Sequence, residues 1–274
     1  MPIEPPYPEL EELLVLIGDA GYRLSEIDAS EGAAGNMSVF VGWPVEPRRR
    51  FPIVETITLP QPTPELAGKT LIVTGSGRRL REIRLNPANN LGVLMIDAAG
   101  VNAQLHTAPD RLFTRLTTEL NSHLAVHADQ IALSPTNFHA LIHAQPIHLT
   151  YLSHIPRYQD EKYLNQHLLR WEPELIVHFP EGIGHVPFEL PGSAALMAGT
   201  MKSLREHKLV IWGKHGVMAR SDTSVKRACD RIEYAETGAR YECLNLANGE
   251  PGEGLTAEQI RAIAAAFGVD QNVF

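Results

Sequence analysis

The chain has 274 residues, 44% hydrophobic and 20% charged, which is the balance of a soluble globular enzyme and enough length for one large domain or two small ones. A formal net charge of -8 with no dominant basic patch argues against nucleic-acid binding. No apolar run approaches the roughly 20 residues that a membrane helix needs. Cys229 and Cys243 lack metal-ligand spacing and are expected to be reduced thiols of a cytoplasmic protein. The acidic, proline-rich start MPIEPPYPEL does not read as a signal peptide, and Arg48-Arg49-Arg50 reads as a solvated loop cluster.

Pro8 to Gly21 is expected to be a helix, with Leu10, Leu13, Leu14, Ile17 and Ala20 at helical spacing and Gly21 as its stop. Residues 29–36 form a Gly-rich turn before a strand from Met37 to Val41. A Pro-rich loop with an apolar edge from Phe51 to Leu59 fills 44–64. Leu71-Ile72-Val73 reads as a strand running into Thr74-Gly75-Ser76-Gly77, and Leu91 to Asp97 as another. Thr117-Thr118 opens a helix that carries Glu119, His123 and His127 at i, i+4 and i+8, hence on one face, much of which is expected to meet solvent. Ala140 to Ile142 reads as a buried strand with His143 at its C-terminal end. Pro146 stops it, and a helix starts over Ile147 to Leu152. Leu175 to Phe179 is expected to be a strand, 182–187 a loop, Ser193 to His207 a helix, and Leu209 to Trp212 a buried strand ending in Gly213-Lys214-His215-Gly216. Thr223 to Asn248 and Thr256 to Phe267 read as helices. Strands and helices interleave throughout, which predicts one α/β domain.

His143 and His215 each end a short apolar strand, the arrangement of a metal site built from strand ends; a hydrogen-bonded core histidine is the competing reading of either. Glu119 suits a proton-transfer group or an oxygen ligand, and equally a carboxylate complementing a helix dipole. The turns at Gly35-Asn36 and at 74–77, with Thr117 and Thr118 at a helix start, offer backbone and hydroxyl donors to an anion; singly, each is also an ordinary turn.

These segments, in this order, resemble the class II aldolase/adducin family. They are Gly35-Asn36-Met37-Ser38, Val73-Thr74-Gly75-Ser76-Gly77, Thr117-Thr118-Glu119, His143-Ala144-Gln145-Pro146 and His215-Gly216. Phe179 to Gly182, Leu190-Pro191-Gly192 and the Trp212 to Gly216 run point to its rhamnulose-1-phosphate aldolase branch. The resemblance covers about residues 10–270. It implies a single domain over 1–274 with a central, mainly antiparallel β-sheet flanked by helices, a three-layer α/β fold assembled as a homotetramer with sites between subunits. It also implies a divalent metal, commonly zinc, on His143 and His215, with Glu119 as catalytic acid/base. The substrate phosphate would rest on Asn36, Ser76, Gly77, Thr117 and Thr118, and Glu174 would reach the site from a neighbouring subunit. The family's second ligand in its His-x-His pattern is Gln145 here, a neutral amide oxygen and a poorer zinc ligand than imidazole.

The implied activity is metal-dependent cleavage of a ketose 1-phosphate, such as L-rhamnulose 1-phosphate, to dihydroxyacetone phosphate and an aldehyde. The rivals are a sugar-phosphate 4-epimerase of the same family and a non-catalytic adducin-like assembly module.

Overall fold

The computed structural model describes residues 2–274. In chain order the elements are α1 (Leu10–Glu26), β1 (Asn36–Val41), β2 (Ile53–Thr58), β3 (Thr70–Thr74), α2 (Leu80–Ile83), α3 (Pro87–Asn90), β4 (Leu91–Ile96), β5 (Asn102–Thr107) and α4 (Leu120–Leu133). There follow β6 (Phe138–Ala144), α5 (Ile147–Leu152), α6 (Glu161–Leu168), α7 (Pro173–His178), β7 (Gly184–Val186), α8 (Ala194–Glu206), β8 (Leu209–Trp212), β9 (Gly216–Ser221), α9 (Val225–Ala247) and α10 (Ala257–Phe267). The strands form one nine-stranded sheet in the order β2-β5-β4-β3-β1-β6-β9-β8-β7. Every pairing is antiparallel except β7 with β8, as the expected mainly antiparallel α/β fold requires.

The central strands β1 and β6 are buried along their whole length because both sheet faces are covered. Met37, Val39 and Val41 of β1, with Ala140, Ile142 and Ala144 of β6, pack into the core under α1, α5 and α9. Alternate residues face the other way. There Phe40 shares a core with Leu124 and Ala128 of α4, and Leu141 shares another with Val126 of α4 and Leu196 of α8. Helix α4 therefore lies across β1 and β6 and sets its polar residues over the middle of the sheet.

Several expectations change in three dimensions. Helix α1 continues through Gly21 to Glu26; a Cβ on Gly21 would lie 2.5 Å from the Leu80 carbonyl oxygen, so this glycine serves close packing on α2 rather than helix termination. Leu175 to Phe179 is not a strand. Pro173 occupies the start of α7, where its fixed φ suits a helix, and a five-residue run with four apolar positions cannot by itself distinguish the two periods. The 182–187 segment is not simply a loop, since Gly184–Val186 adds strand β7 alongside β8. Within the Pro-rich 44–64 stretch, β2 forms the outermost strand beside β5 and is largely exposed. Strands β5 (NAQLHT) and β9 (GVMARS) lack the apolar runs that mark their neighbours and are stabilised by pairing on the sheet.

Candidate active site

A cavity of about 190 Å³ opens where the C-terminal end of β6 meets the start of β1, the turn after β3, the entry to α4 and the β8–β9 connection. Asn36, Ser76, Gly77, Thr117, Thr118, Glu119, His143, Gln145 and His215 all line it. Register explains part of this convergence: Asn36 opens β1 directly opposite His143 near the end of β6, so antiparallel pairing places both side chains on one face.

Glu119 sits at the N-cap position of α4 with its carboxylate buried. Its Oε2 accepts from Asn36 Nδ2 at 2.7 Å and faces His143 Nε2 at 3.7 Å. Its Oε1 faces His215 Nε2 at 3.8 Å and has no hydrogen-bond partner among the described residues. Burial opposes ionisation, but the facing His143, the Asn36 amide and His215 outweigh it and hold the Glu119 carboxyl below its ordinary range. Burial, reinforced by His143 and opposed by Glu119, pushes His215 down to about 4.

The imidazole of His143 is oriented by its protein contacts. Its Nδ1 lies 2.8 Å from the Val217 carbonyl oxygen, so Nδ1 carries the proton and Nε2 presents its lone pair to the cavity. Trp212 lies against both rings, with centroids 4.5 Å from His143 and 5.2 Å from His215, and is itself fixed by donation from its Nε1 to Thr200 Oγ1 at 2.8 Å. Gly216 holds the β8–β9 connection tight: a Cβ there would lie 2.4 Å from the Ala144 carbonyl oxygen and 3.0 Å from Gln145 Cγ.

Glu119, His143 and His215 offer ligand atoms within 4.8 Å of one another. Tetrahedral ligands at zinc-like distances lie about 3.4 Å apart, so this set fits a divalent cation with little movement. The unpartnered Glu119 Oε1 and the bare His143 Nε2 are the atoms such an ion would satisfy. Gln145 borders the cavity beside His143 and Gly216, with its backbone N–H donated to Ala29.

The turn after β3 and the entry to α4 are joined to each other. Ser76 N–H donates to the Arg115 carbonyl, Thr117 N–H to Thr74, and Gly75 bridges Leu116. Gly77 adopts φ 71°, a left-handed conformation suited to glycine. Among the described residues, the N–H groups of Gly77 and Thr118 donate to no protein acceptor, and both residues are exposed to the cavity beside the positive end of α4. The Asn36 amide is engaged at both ends, by Glu119 and by His123, which leaves one of its N–H bonds available.

Glu174 and His148 lie elsewhere. Glu174 is exposed in the first turn of α7, near His178 and Tyr234, and does not line the cavity of its own chain. His148 donates to Glu236 through its backbone N–H and pairs with it through Nδ1 at 2.7 Å. Gln145 and His215 also border an adjoining surface cavity with Thr150, Tyr151 and His154, residues that sequence patterns had not marked because they sit in a short helix and its exit. His123 and His127, expected to lie largely in solvent, are fully buried between α4 and the sheet. Their partners, Ser38 and His139, carried only the signal of polar residues in otherwise apolar strands.

The sequence matches the family described as "Class II Aldolase and Adducin N-terminal domain" over residues 16–243. The chain belongs to this family. It is 32% identical over 244 residues to the rhamnulose-1-phosphate aldolases of Yersinia pestis (strain Pestoides F) and of Yersinia pseudotuberculosis (strain YPIII), covering 87% of each chain. Its fold superposes on a sugar-phosphate aldolase from Thermotoga maritima with a TM-score of 0.76 at 27% identity, covering 89% of this chain and 99% of that one. YgbL from Klebsiella pneumoniae shares the fold, with a TM-score of 0.63 at 20% identity over 94% and 100% of the two chains. This protein is thus a class II aldolase-family enzyme, and class II aldolases are metal-dependent.

Proposed function

We propose that this class II aldolase-family enzyme cleaves a ketose 1-phosphate of the L-rhamnulose 1-phosphate type to dihydroxyacetone phosphate and an aldehyde. The observation that carries the reading is the position of Glu119, between His143 and His215 and beside the Ser76-Gly77 and Thr117-Thr118 turns. One cavity thereby combines a proton-transfer carboxylate, two imidazole ligands and an anion cradle. The naming of relatives as rhamnulose-1-phosphate aldolases supports the substrate class.

The ion would be held by His143 and His215, with Gln145 or a water completing the set, and zinc is the proposed metal. When bound, it supplies Lewis-acid polarisation of the ketose oxygens. The substrate phosphate rests on the free N–H groups of Gly77 and Thr118, the hydroxyls of Ser76, Thr117 and Thr118, and the remaining Asn36 N–H. Glu119, held by Asn36, transfers the proton at the donor carbon. The aldehyde-side hydroxyl gives up its proton as the carbon–carbon bond breaks, to the Glu174 carboxylate of a second copy or, relayed by the Tyr151 hydroxyl as it releases its own proton, to water in the adjoining cavity. A homotetramer would bring Glu174 of a neighbouring subunit to the cavity, and a cytoplasmic setting suits sugar-phosphate metabolism.

The test is purified protein, analysed for metal, incubated with L-rhamnulose 1-phosphate and assayed for dihydroxyacetone phosphate by coupled reduction. Equimolar dihydroxyacetone phosphate and aldehyde are expected. Conversion to an epimer without that product would favour a 4-epimerase, whereas no metal and no turnover would favour an assembly module. Light scattering should give a particle about four times the 30.3 kDa of one chain.

A further inference from the structure

Behind Glu119 lies a row of buried polar groups that the reaction as described does not use. Ser38 Oγ is 2.6 Å from His123 Nδ1 and 2.7 Å from His127 Nε2. His127 Nδ1 is 2.8 Å from His139 Nδ1, and His123 Nε2 is 2.5 Å from Asn36 Oδ1. The row runs from Glu119 through Asn36, His123, Ser38 and His127 to His139, and every member is buried. It exists because two periodicities match. Glu119, at the N-cap of α4, and His123 and His127 on that helix are spaced four residues apart, about 6 Å of rise. Asn36 and Ser38 are two apart on β1, about 6.8 Å. The helix and strand can therefore interlock polar residue by polar residue.

The direction of every hydrogen bond follows from one end. An ionised Glu119 is acceptor-only, so Asn36 must present its NH₂, and Asn36 Oδ1 must then accept from His123 Nε2–H. His123 Nδ1 is consequently bare and accepts the Ser38 hydroxyl proton. Ser38 Oγ in turn accepts from His127 Nε2–H. His127 Nδ1 is bare and accepts from His139 Nδ1–H, which leaves His139 Nε2 as a lone pair. That atom is buried without a partner among the described residues, as the end of a one-way chain should be. Burial holds all three histidines neutral at ordinary pH, pushing His123 down to about 4 and His139 to about 3.

We propose that Ser38, His123, His127 and His139 are positioning residues, a one-way hydrogen-bond chain that fixes the Asn36 amide with its NH₂ toward Glu119 and so holds the carboxylate in its working orientation. The proposal deepens the reading above and rests on it for the role of Glu119. An asparagine amide is nearly symmetric in shape, and only its hydrogen-bond partners select which end faces the carboxylate. Such outer partners typically contribute 10–100-fold to activity when they orient a working group.

The chain makes a statement about tautomers that is separable from catalysis. In ¹⁵N-histidine-labelled protein near neutral pH, long-range proton–nitrogen correlation, assigned by single His→Gln variants, should show His123 and His127 protonated at Nε2 and His139 at Nδ1. Ser38→Ala should lose the preference at His123. Per folded, metal-loaded site, it should also lower kcat for the sugar phosphate by roughly 10–100-fold with KM unchanged. The proposal is overturned if His123 carries its proton on Nδ1 in the parent, or if metal-loaded Ser38→Ala turns over as fast as the parent. If Ser38→Ala does not fold, the parent spectrum still decides. If no sugar phosphate is cleaved, the functional reading falls, and the tautomer pattern is judged on the spectrum alone.

Discussion

Asn36 Nδ2 lies 2.7 Å from Glu119 Oε2, the same carboxylate oxygen that His143 Nε2 approaches at 3.7 Å. One oxygen of Glu119 is therefore held by a neutral donor, while Oε1 points toward His215 with no hydrogen-bond partner among the described residues. A carboxylate bound on one side and open on the other leaves Oε1 accessible to an ion or a proton, unlike a structural ion pair, in which both oxygens would be satisfied.

Asn36→Ala removes that neutral donor and leaves His123 without its acceptor. Loss of one preorganised donor typically lowers turnover by roughly 100-fold, about 3 kcal/mol of barrier, and the loss should appear in kcat more than in KM. Steady-state kinetics on metal-loaded variant and parent measure it. Unchanged kcat would remove Asn36 from the working site.

Metal affinity should depend on three positions. His143→Ala and His215→Ala are expected to abolish binding of added zinc. Gln145→His, which replaces an amide oxygen by imidazole beside His143, should tighten zinc by roughly 10–100-fold and shift preference away from harder ions such as manganese. Titration of zinc into apo protein distinguishes the variants. Equal affinities for parent and Gln145→His would show that the residue at 145 does not contribute to the ion's coordination.

Gly75→Ala should damage both stability and phosphate binding. The added Cβ would lie 2.3 Å from the Phe113 ring, which is buried in the core beneath β3 and β4, so ring and turn must separate. Overpacking of this kind costs about 2 kcal/mol, a fall in Tm of roughly 5 °C. The neighbouring Ser76 and Gly77 would move with the turn, raising KM for a phosphorylated substrate. Thermal melts and KM measured on the same preparation provide the check.

Acid should destabilise the protein before most of its carboxylates are titrated. Burial lowers His123 to about 4, burial with Arg220 and Arg231 lowers His139 to about 3, and His127 is held well below its ordinary value. Unfolded histidines titrate near 6.5, so below that pH the unfolded chain binds more protons and stability falls with decreasing pH. The contribution is complete above pH 6.5 and is lost progressively toward pH 3–4. From pH 8 to pH 5 the loss is about 2 kcal/mol each for His123 and His139. Urea denaturation at the two pH values measures it, and the double variant His123→Gln with His139→Gln should show a flatter dependence.

Much of the fold was legible because its elements carry strong local patterns. The leucine and isoleucine spacing of α1, the continuous apolar runs of β3, β4 and β8, and the Pro146 break between β6 and α5 are consequences of burial and backbone chemistry that act within a few residues. The segments carrying Asn36, Ser76, Thr117, Glu119, His143, Gln145 and His215 were likewise marked by turn residues and strand ends. What the linear order could not provide was their convergence, which depends on strand register: Asn36 meets His143 only because β1 and β6 pair antiparallel in that alignment.

Sequence by itself determined the alternation of helices and strands, the chemistry present at each strand end and the family to which those segments belong. Tertiary structure alone decided that β2, β5 and β9 are strands, because weakly apolar segments take the conformation that pairs with a neighbour. It also decided that Leu175 begins inside a helix, that Gly21 marks a packing contact, and that His123 and His127 face the sheet instead of water. In each case the residue's role is set by the group that lies against it, and that group is distant in the chain: Leu80 for Gly21, Ser38 for His123.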